Sequence, residues 1–307
     1  MPFLKKNLFL AFNVVLAMVL LLVISSSIDF GALEKVLANA NLLFVAFAAF
    51  FYLLTHFISA LRYKMLHSPK FTVLDYFRLH MRAMLASDAT PGRVGYSLFI
   101  FDLRKRGMPG GKAAKLMGVS FASDFLVRGL LALAAIWLFS SDFGQAGVFV
   151  VAASIIAFAL LFFKSKSFAS MISKFPYYGK RLEGAYQSVF KQKTSTNQLL
   201  LSIGFSFAGA VARGAEWVFV FQALGLNLFA VQATVLSALL TALSFIPLSV
   251  AGFGVQEGGG IVLLSSLLGF NAFQAAGAML LVRAVDVAAD VLVGGLFFLT
   301  SPNSPKK

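Results

Sequence analysis

The chain has 307 residues, 59% of them hydrophobic and 12% charged, with a mean hydropathy of +0.86. Soluble domains do not carry that composition; it predicts an all-α polytopic membrane protein, a single transmembrane domain over residues 1–307 with no room for a separate soluble catalytic domain. Its 26 Lys and Arg against 12 Asp and Glu give +14, and the absence of Cys excludes disulfides, thiolate zinc sites and catalytic thiols.

Leu8–Ile28 follows Lys5 and Lys6 and is a retained first span rather than a cleaved signal peptide, because the apolar run is long and no small-residue cleavage site follows it. Its length covers about 30 Å at 1.5 Å per residue. Asn41–Leu61 is the second span and ends in Arg62, Lys64 and Lys70. Phe71–Leu85 is amphipathic: Leu74, Phe77, Met81, Met84 and Leu85 share one face, and Asp75, Arg78 and Arg82 lie on another. This pattern predicts a helix on the cytoplasmic interface that then dips inward. Ser87–Gly95 is a broken stretch with Pro91, Gly92 and Gly95, after which Tyr96–Phe101 is too short to span. Met81–Leu103 therefore reads as a re-entrant hairpin closed by Arg104, Lys105 and Arg106.

Ala114–Phe139 is a span carrying Asp124 and Arg128, and Phe143–Phe163 is a span without charges. Residues 164–197 form a basic linker with two amphipathic pieces separated by Pro176, suited to an anionic cytoplasmic leaflet; the second piece reads equally well as a solvated loop. Gln198–Leu224 is a span with Arg213 and Glu216. Leu228–Phe245 leads into Ile246–Gly260, where Pro247 ends the helix and Gly252, Gly254 and Gly258 let the backbone bend beside Gln256 and Glu257. Ile261–Leu268 leads out, and Asn271–Leu299 is the last span, with Arg283, Asp286 and Asp290.

The basic residues fall almost entirely in the proposed inner segments, with Lys35 the exception, so both termini are expected in the cytoplasm of a cell that carries this protein in its plasma membrane. Parity then makes Leu228–Leu268 a second hairpin that dips from outside. Six full spans and two broken hairpins dipping from opposite sides suggest an inverted repeat.

Broken backbone in hydrocarbon is tolerated only beside protein or a wet cavity, and an intramembrane charge marks a site by default. Arg93, Arg128, Arg213 and Arg283, with Asp88, Asp124, Glu216, Glu257, Asp286 and Asp290, are such charges. Asp124/Arg128, Arg213/Glu216 and Arg283/Asp286 are at helical neighbour spacing and are expected to pair. For Asp124/Arg128, neutralisation that only serves packing has equal standing. Arg93, Arg213 and Arg283, with a half-helix starting near Gly258, are the groups suited to a phosphate. Glu257 and Asp290 would hold a cationic or sugar group or carry a proton. His56, His67 and His80 lack metal-ligand spacing, so packed or interfacial histidines are expected, with no metal and no cofactor.

The stretch PLSVAGFGVQEGGGIVLL resembles the second signature of the lysylphosphatidylglycerol synthase transmembrane family, also called flippase-like integral membrane proteins. TPGRVGYSLFIFDLRKRG is similar to its first signature, and ALRYKML to the basic end of its second span. Many relatives carry an acidic residue where Tyr96 stands and Arg where Gln256 stands, so the resemblance brings no charge to those positions. It implies a stand-alone member without the aminoacyl-transferase domain, moving a phospholipid or polyprenyl-linked glycolipid headgroup between leaflets. A membrane-embedded enzyme acting on a lipid phosphate, and a non-transporting membrane partner protein, are the alternatives. Expected partners are the lipid and the anionic leaflet, with a homo-oligomer or a lipid-modifying enzyme left open and no nucleic acid.

Overall fold

The computed structural model describes residues 38–66, 71–88, 94–139, 195–243 and 254–300, and the single positions 34, 90, 170, 173, 183 and 187. All regular structure among them is helical. Helix α1 is Leu42–Leu66, α2 is Val73–Asp88, and a 3-10 turn at Val94–Tyr96 leads into α3, Ser97–Lys105. Helix α4 is Gly110–Phe139, α5 is Thr196–Ala223, α6 is Ala230–Leu243 and α7 is Val255–Leu268. Helix α8, Ala272–Ala289, passes through a π turn at Asp290–Gly294 into α9, Gly295–Leu299.

Helix ends form where polar side chains take up the free N–H groups. Ser195 and Gln198 cap α5 reciprocally, and Asn271 and Gln274 do the same for α8. At α2 the Thr72 hydroxyl accepts from the Asp75 N–H at 3.1 Å, and the Asp75 carboxylate accepts from the Thr72 N–H at 3.0 Å. Arg106, just past α3, donates to the other Asp75 oxygen at 3.1 Å, which clips α3 back onto the start of α2.

Among the described residues, three helices are long and apolar enough to cross a membrane: α1, α5 and the stretch Gly110–Ala134 of α4. Helix α1 packs most extensively on α5. The pair is antiparallel: Asn41 N–H donates to the Ala223 carbonyl at 2.8 Å, and at the other end Gln198 donates to the Leu66 carbonyl at 3.4 Å. Helix α1 turns Leu42, Phe47, Phe50 and Phe57 outward and buries Ala48, Tyr52, His56, Ala60, Arg62 and Tyr63. Hydrocarbon outside and polar side chains inside are what a lipid solvent selects. One apolar core joins α1, α5, α6, α7 and α8 around Trp217, Phe221, Leu240 and Met279; a second joins α1, α2, α3 and α4 around Tyr63, Tyr76, Leu79 and Phe99.

The break after α2 is real, and its geometry depends on Gly95. A Cβ there would overlap the backbone of Ala86 and Ser87, so only glycine lets the 3-10 turn fold back onto the end of α2. The amphipathic face of α2 differs from expectation. Tyr76, Leu79, His80, Met81, Ala83, Met84 and Ser87 are buried, whereas Leu74 is exposed. Facing inward, α2 meets protein rather than lipid, so its aromatic and small polar residues turn in. Helix α7 starts at Val255 rather than near Gly258, and Gly254 precedes it at φ +82°, a conformation that favours glycine.

Leu8–Ile28, Phe143–Phe163, Arg93, the hinge residues Pro91, Gly92, Pro247 and Gly252, and residues 164–194 other than single positions lie outside the described residues.

Candidate functional site

Polar side chains from α1, α2, α4, α5, α6 and α8 enclose a cavity of about 100 Å³ within this apolar bundle. Its polarity begins as a stripe on α1. Tyr52, Thr55, His56, Ser59, Arg62 and Tyr63 recur at helical spacing, and all line the cavity. That volume holds several waters, and its lining offers them partners.

One end is built around Arg62, which is 3% exposed. Its Nη1 and Nη2 donate to the Asp124 oxygens at 2.6 and 3.1 Å, and Nη1 also donates to the Ser206 hydroxyl at 2.6 Å. The Ser206 hydroxyl donates in turn to Asp124 at 2.7 Å. This triad ties α1, α4 and α5 together. Arg128 lies close enough to act electrostatically on Asp124, so two guanidinium groups face one carboxylate here. Beside them the His56 and His80 rings meet, Nδ1 to Nε2, at 3.0 Å, and the Tyr63 hydroxyl lies 3.5 Å from His80 Nδ1.

The other end is acidic. Arg213 grips Asp286 with both terminal nitrogens at 2.6 Å, and its Nη1 also reaches the two Glu216 oxygens at 2.8 and 2.6 Å. The Tyr52 ring lies under this guanidinium, 5.2 Å from centroid to Cζ. The Tyr52 hydroxyl donates to Asp290 at 2.8 Å, and Asp88 lines the cavity from the end of α2. Arg283 Nε lies 3.8 Å from Glu257, whose other oxygen accepts the Gly254 N–H at 2.8 Å. Gln256, next to Glu257, is buried. The backbone holds these groups close. A Cβ on Gly294, inside the π turn, would lie 2.7 Å from the Met81 carbonyl, so glycine lets the last helix seat directly on α2.

The structure thus brings together Asp88, Arg213, Glu216, Glu257, Arg283, Asp286 and Asp290, and it bears out Arg213/Glu216 as a pair. Two pairings differ. Asp124 is taken by Arg62 rather than by its α4 neighbour Arg128, and Asp286 by Arg213 rather than by its α8 neighbour Arg283. In both cases the cross-helix guanidinium grips its carboxylate with two parallel bonds. Arg62 is therefore not a cytoplasmic anchor at the end of a span but a buried ion. At the start of α7 the Glu257 carboxylate accepts the Gly254 N–H. The signal for Arg62, Tyr52, His56 and Tyr63 was the polar stripe on α1. Ser206 and His80 carried no comparable signal, since their partners come from other helices.

Membrane-length helices that turn apolar surface outward and enclose an ion-lined polar interior define an integral membrane protein. The chain belongs to the family described as the lysylphosphatidylglycerol synthase TM region, whose model matches residues 10–294, nearly its whole length. That places it among membrane proteins of lipid metabolism or transport. No match was found among curated proteins.

Proposed function

We propose that this protein is a lipid translocase that moves a phospholipid or polyprenyl-linked glycolipid headgroup across the membrane through the cavity while the tails stay in lipid. The observation that carries this reading is the cavity itself, lined by Arg62, Arg128, Arg213 and Arg283 and by Asp88, Asp124 and Asp286 from five helices. A charge at mid-bilayer costs at least about 2.5–3.5 kcal/mol on insertion scales, so a lone apolar helix bundle has no reason to gather so many. Charges already in place lower the cost of carrying a headgroup between leaflets.

The balance of charge assigns the headgroup's parts. The Arg62, Asp124 and Arg128 end has a surplus of positive charge and suits the phosphate; the carboxyl-rich end suits an amine or sugar hydroxyls. The headgroup enters between the two broken hairpins. In this reading α2–α3 dips from the cytoplasm and α6–α7 from outside, six full spans complete the fold, both termini are cytoplasmic in the plasma membrane, and the basic 164–197 segment lies on the anionic leaflet.

Proteoliposomes with labelled phospholipids and polyprenyl-phosphate sugars test it. The wild type is expected to move one of them, with Arg213→Ala and Glu257→Gln each slowing the rate at least about tenfold, the loss of about 1.4 kcal/mol of barrier stabilisation. Unchanged rates in both variants would remove these residues from the path. No movement of any probe would remove the translocase reading.

A further inference from the structure

The ionic contacts of the cavity come in two matching sets. Along the chain a membrane-length helix, two short helices and a further long helix follow one another as α1 to α4, and again as α5 to α8. The first helices of the two sets lie antiparallel, joined at one end by Asn41 and Ala223 and at the other by Gln198 and Leu66. In each set an arginine on the first helix grips an aspartate on the last: Arg62 with Asp124, and Arg213 with Asp286. Asp124 is the fifteenth residue of α4 and Asp286 the fifteenth of α8.

Each grip then meets one side chain from the first helix of the other set. Ser206 of α5 accepts from Arg62 at 2.6 Å and donates to Asp124 at 2.7 Å. Tyr52 of α1 lies under the Arg213 guanidinium, 5.2 Å from centroid to Cζ, and donates to Asp290 at 2.8 Å. Tyr52 and Ser206 are each the eleventh residue of their helix. Because α1 and α5 run antiparallel, the two clusters lie at different levels along them, with Thr55, His56 and Ser59 of α1 and Gly209 and Ala210 of α5 lining the cavity in between.

The two kinds of contact differ in cost. A buried guanidinium that grips a carboxylate with two parallel bonds is hard to separate, since parting strands both charges. A single hydrogen bond between helices in a membrane is worth about the thermal energy, because the freed groups find other partners. The contacts through Ser206 and Tyr52 are therefore the ones that can open and close.

We infer that Ser206 and Tyr52 are the positioning residues of two equivalent doors to the cavity, one toward each face of the membrane, that open in turn as the headgroup passes; this rests on the translocase reading above. The ion pairs stay whole and move with their own helices. One door opens where Arg62 and Asp124 draw away from Ser206, the other where Arg213 and Asp290 draw away from Tyr52. Repeated elements of opposite orientation around one central site are the arrangement that gives access from either side in turn. In the orientation proposed above, Leu66 is the cytoplasmic end of α1, so the Ser206 door faces the cytoplasm and the Tyr52 door faces outside.

The test uses the full chain carrying Thr55→Cys, a reporter in the cavity of a protein with no native Cys, inserted in one orientation in proteoliposomes. A small impermeant methanethiosulfonate reagent is applied to one face or the other, and the labelling rate is measured. Ser206→Ala is expected to speed labelling from the cytoplasmic face at least about threefold, the worth of one average interhelical hydrogen bond in a membrane, and to leave the rate from outside unchanged. Tyr52→Phe is expected to speed labelling from the outer face alone, and Tyr52→Leu, which also removes the ring under Arg213, to do so more strongly. Equal acceleration from both faces marks a general loosening of the bundle and overturns the doors, as do unchanged rates in all three variants. Movement of labelled lipid in the same vesicles reads the translocase separately. Lipid movement with labelling indifferent to the substitutions overturns the doors and keeps the translocase. One-sided acceleration without lipid movement by the wild type overturns the translocase and keeps the doors.

Discussion

Arg62→Ala gives the sharpest test of the buried ionic end. The substitution removes two bonds to Asp124 and one to Ser206. It leaves Asp124, whose side chain is 21% exposed, with the Ser206 hydroxyl at 2.7 Å as its remaining cross-helix donor in this triad. Removing one partner of a buried pair costs about 3–5 kcal/mol, because the other charge is stranded. The partial exposure of Asp124, its retained Ser206 bond and the nearby Arg128 charge place the expected loss at the low end, about 3 kcal/mol, or two decades in the unfolding equilibrium. Interhelical hydrogen bonds alone average only about 0.6 kcal/mol in membranes, so a loss of that size reports the stranded charge rather than the bonds. Arg62→Leu/Asp124→Leu removes both members of the pair but also takes the Asp124 charge away from Arg128, so it is expected to cost less than the sum of the two single changes without returning to wild type. Reversible unfolding in mixed detergent micelles measures all of these. A double variant as costly as the sum of its singles, or an Arg62→Ala loss below about 1 kcal/mol, would show a solvated contact in place of a buried pair.

Gly95→Ala pushes a methyl into the Ala86–Ser87 backbone and is expected to lower thermal stability and abolish lipid movement, whereas Gly204→Ala, with nothing within 4 Å, stays near wild type in the same melting assay. For Asp75, burial pushes the carboxyl up, but the Thr72 hydroxyl and N–H, and then Arg106, outweigh it and hold it below the usual carboxylate range. A depressed folded value means the contribution is present at neutral pH and is lost as pH falls through that value. Asp75→Asn is therefore expected to flatten the acid side of the stability–pH curve below about pH 4, and an unchanged acid limb would refute the clip between α2 and α3. With no native Cys to remove, Lys105→Cys is expected to react with an impermeant thiol reagent only from the cytoplasm and Asn227→Cys only from outside; the reverse pattern would overturn the orientation proposed for both hairpins.

Much of the architecture was legible before any coordinates. The apolar runs behind α1, α4 and α5 are dictated by composition, since a lipid solvent rewards continuous hydrocarbon and leaves a signal that a short window detects. The break at Gly95 was legible for a similar reason: glycine acts on its own backbone, and the 3-10 turn at Gly95 lies against the end of α2 where a Cβ would overlap it. Intramembrane charges such as Arg213, Glu216, Asp286 and Asp290 stood out because they are costly in any position.

Pairing was another matter. Helical spacing proposes partners on the same helix, and Arg213 with Glu216 obeys it, but Asp124 chose Arg62 across the bundle and Asp286 chose Arg213. A bidentate grip needs a guanidinium approaching along the carboxylate plane, and only the antiparallel seating of α1 on α5, with α4 and α8 against them, sets that approach. The same holds for Tyr52 and Asp290, which are remote in the chain and meet across α1 and the π turn. Local sequence decided which segments are helical and which residues are too polar for lipid. The three-dimensional packing decided which charges pair, because ion pairs depend on distances of a few ångströms between helices that the chain order leaves free.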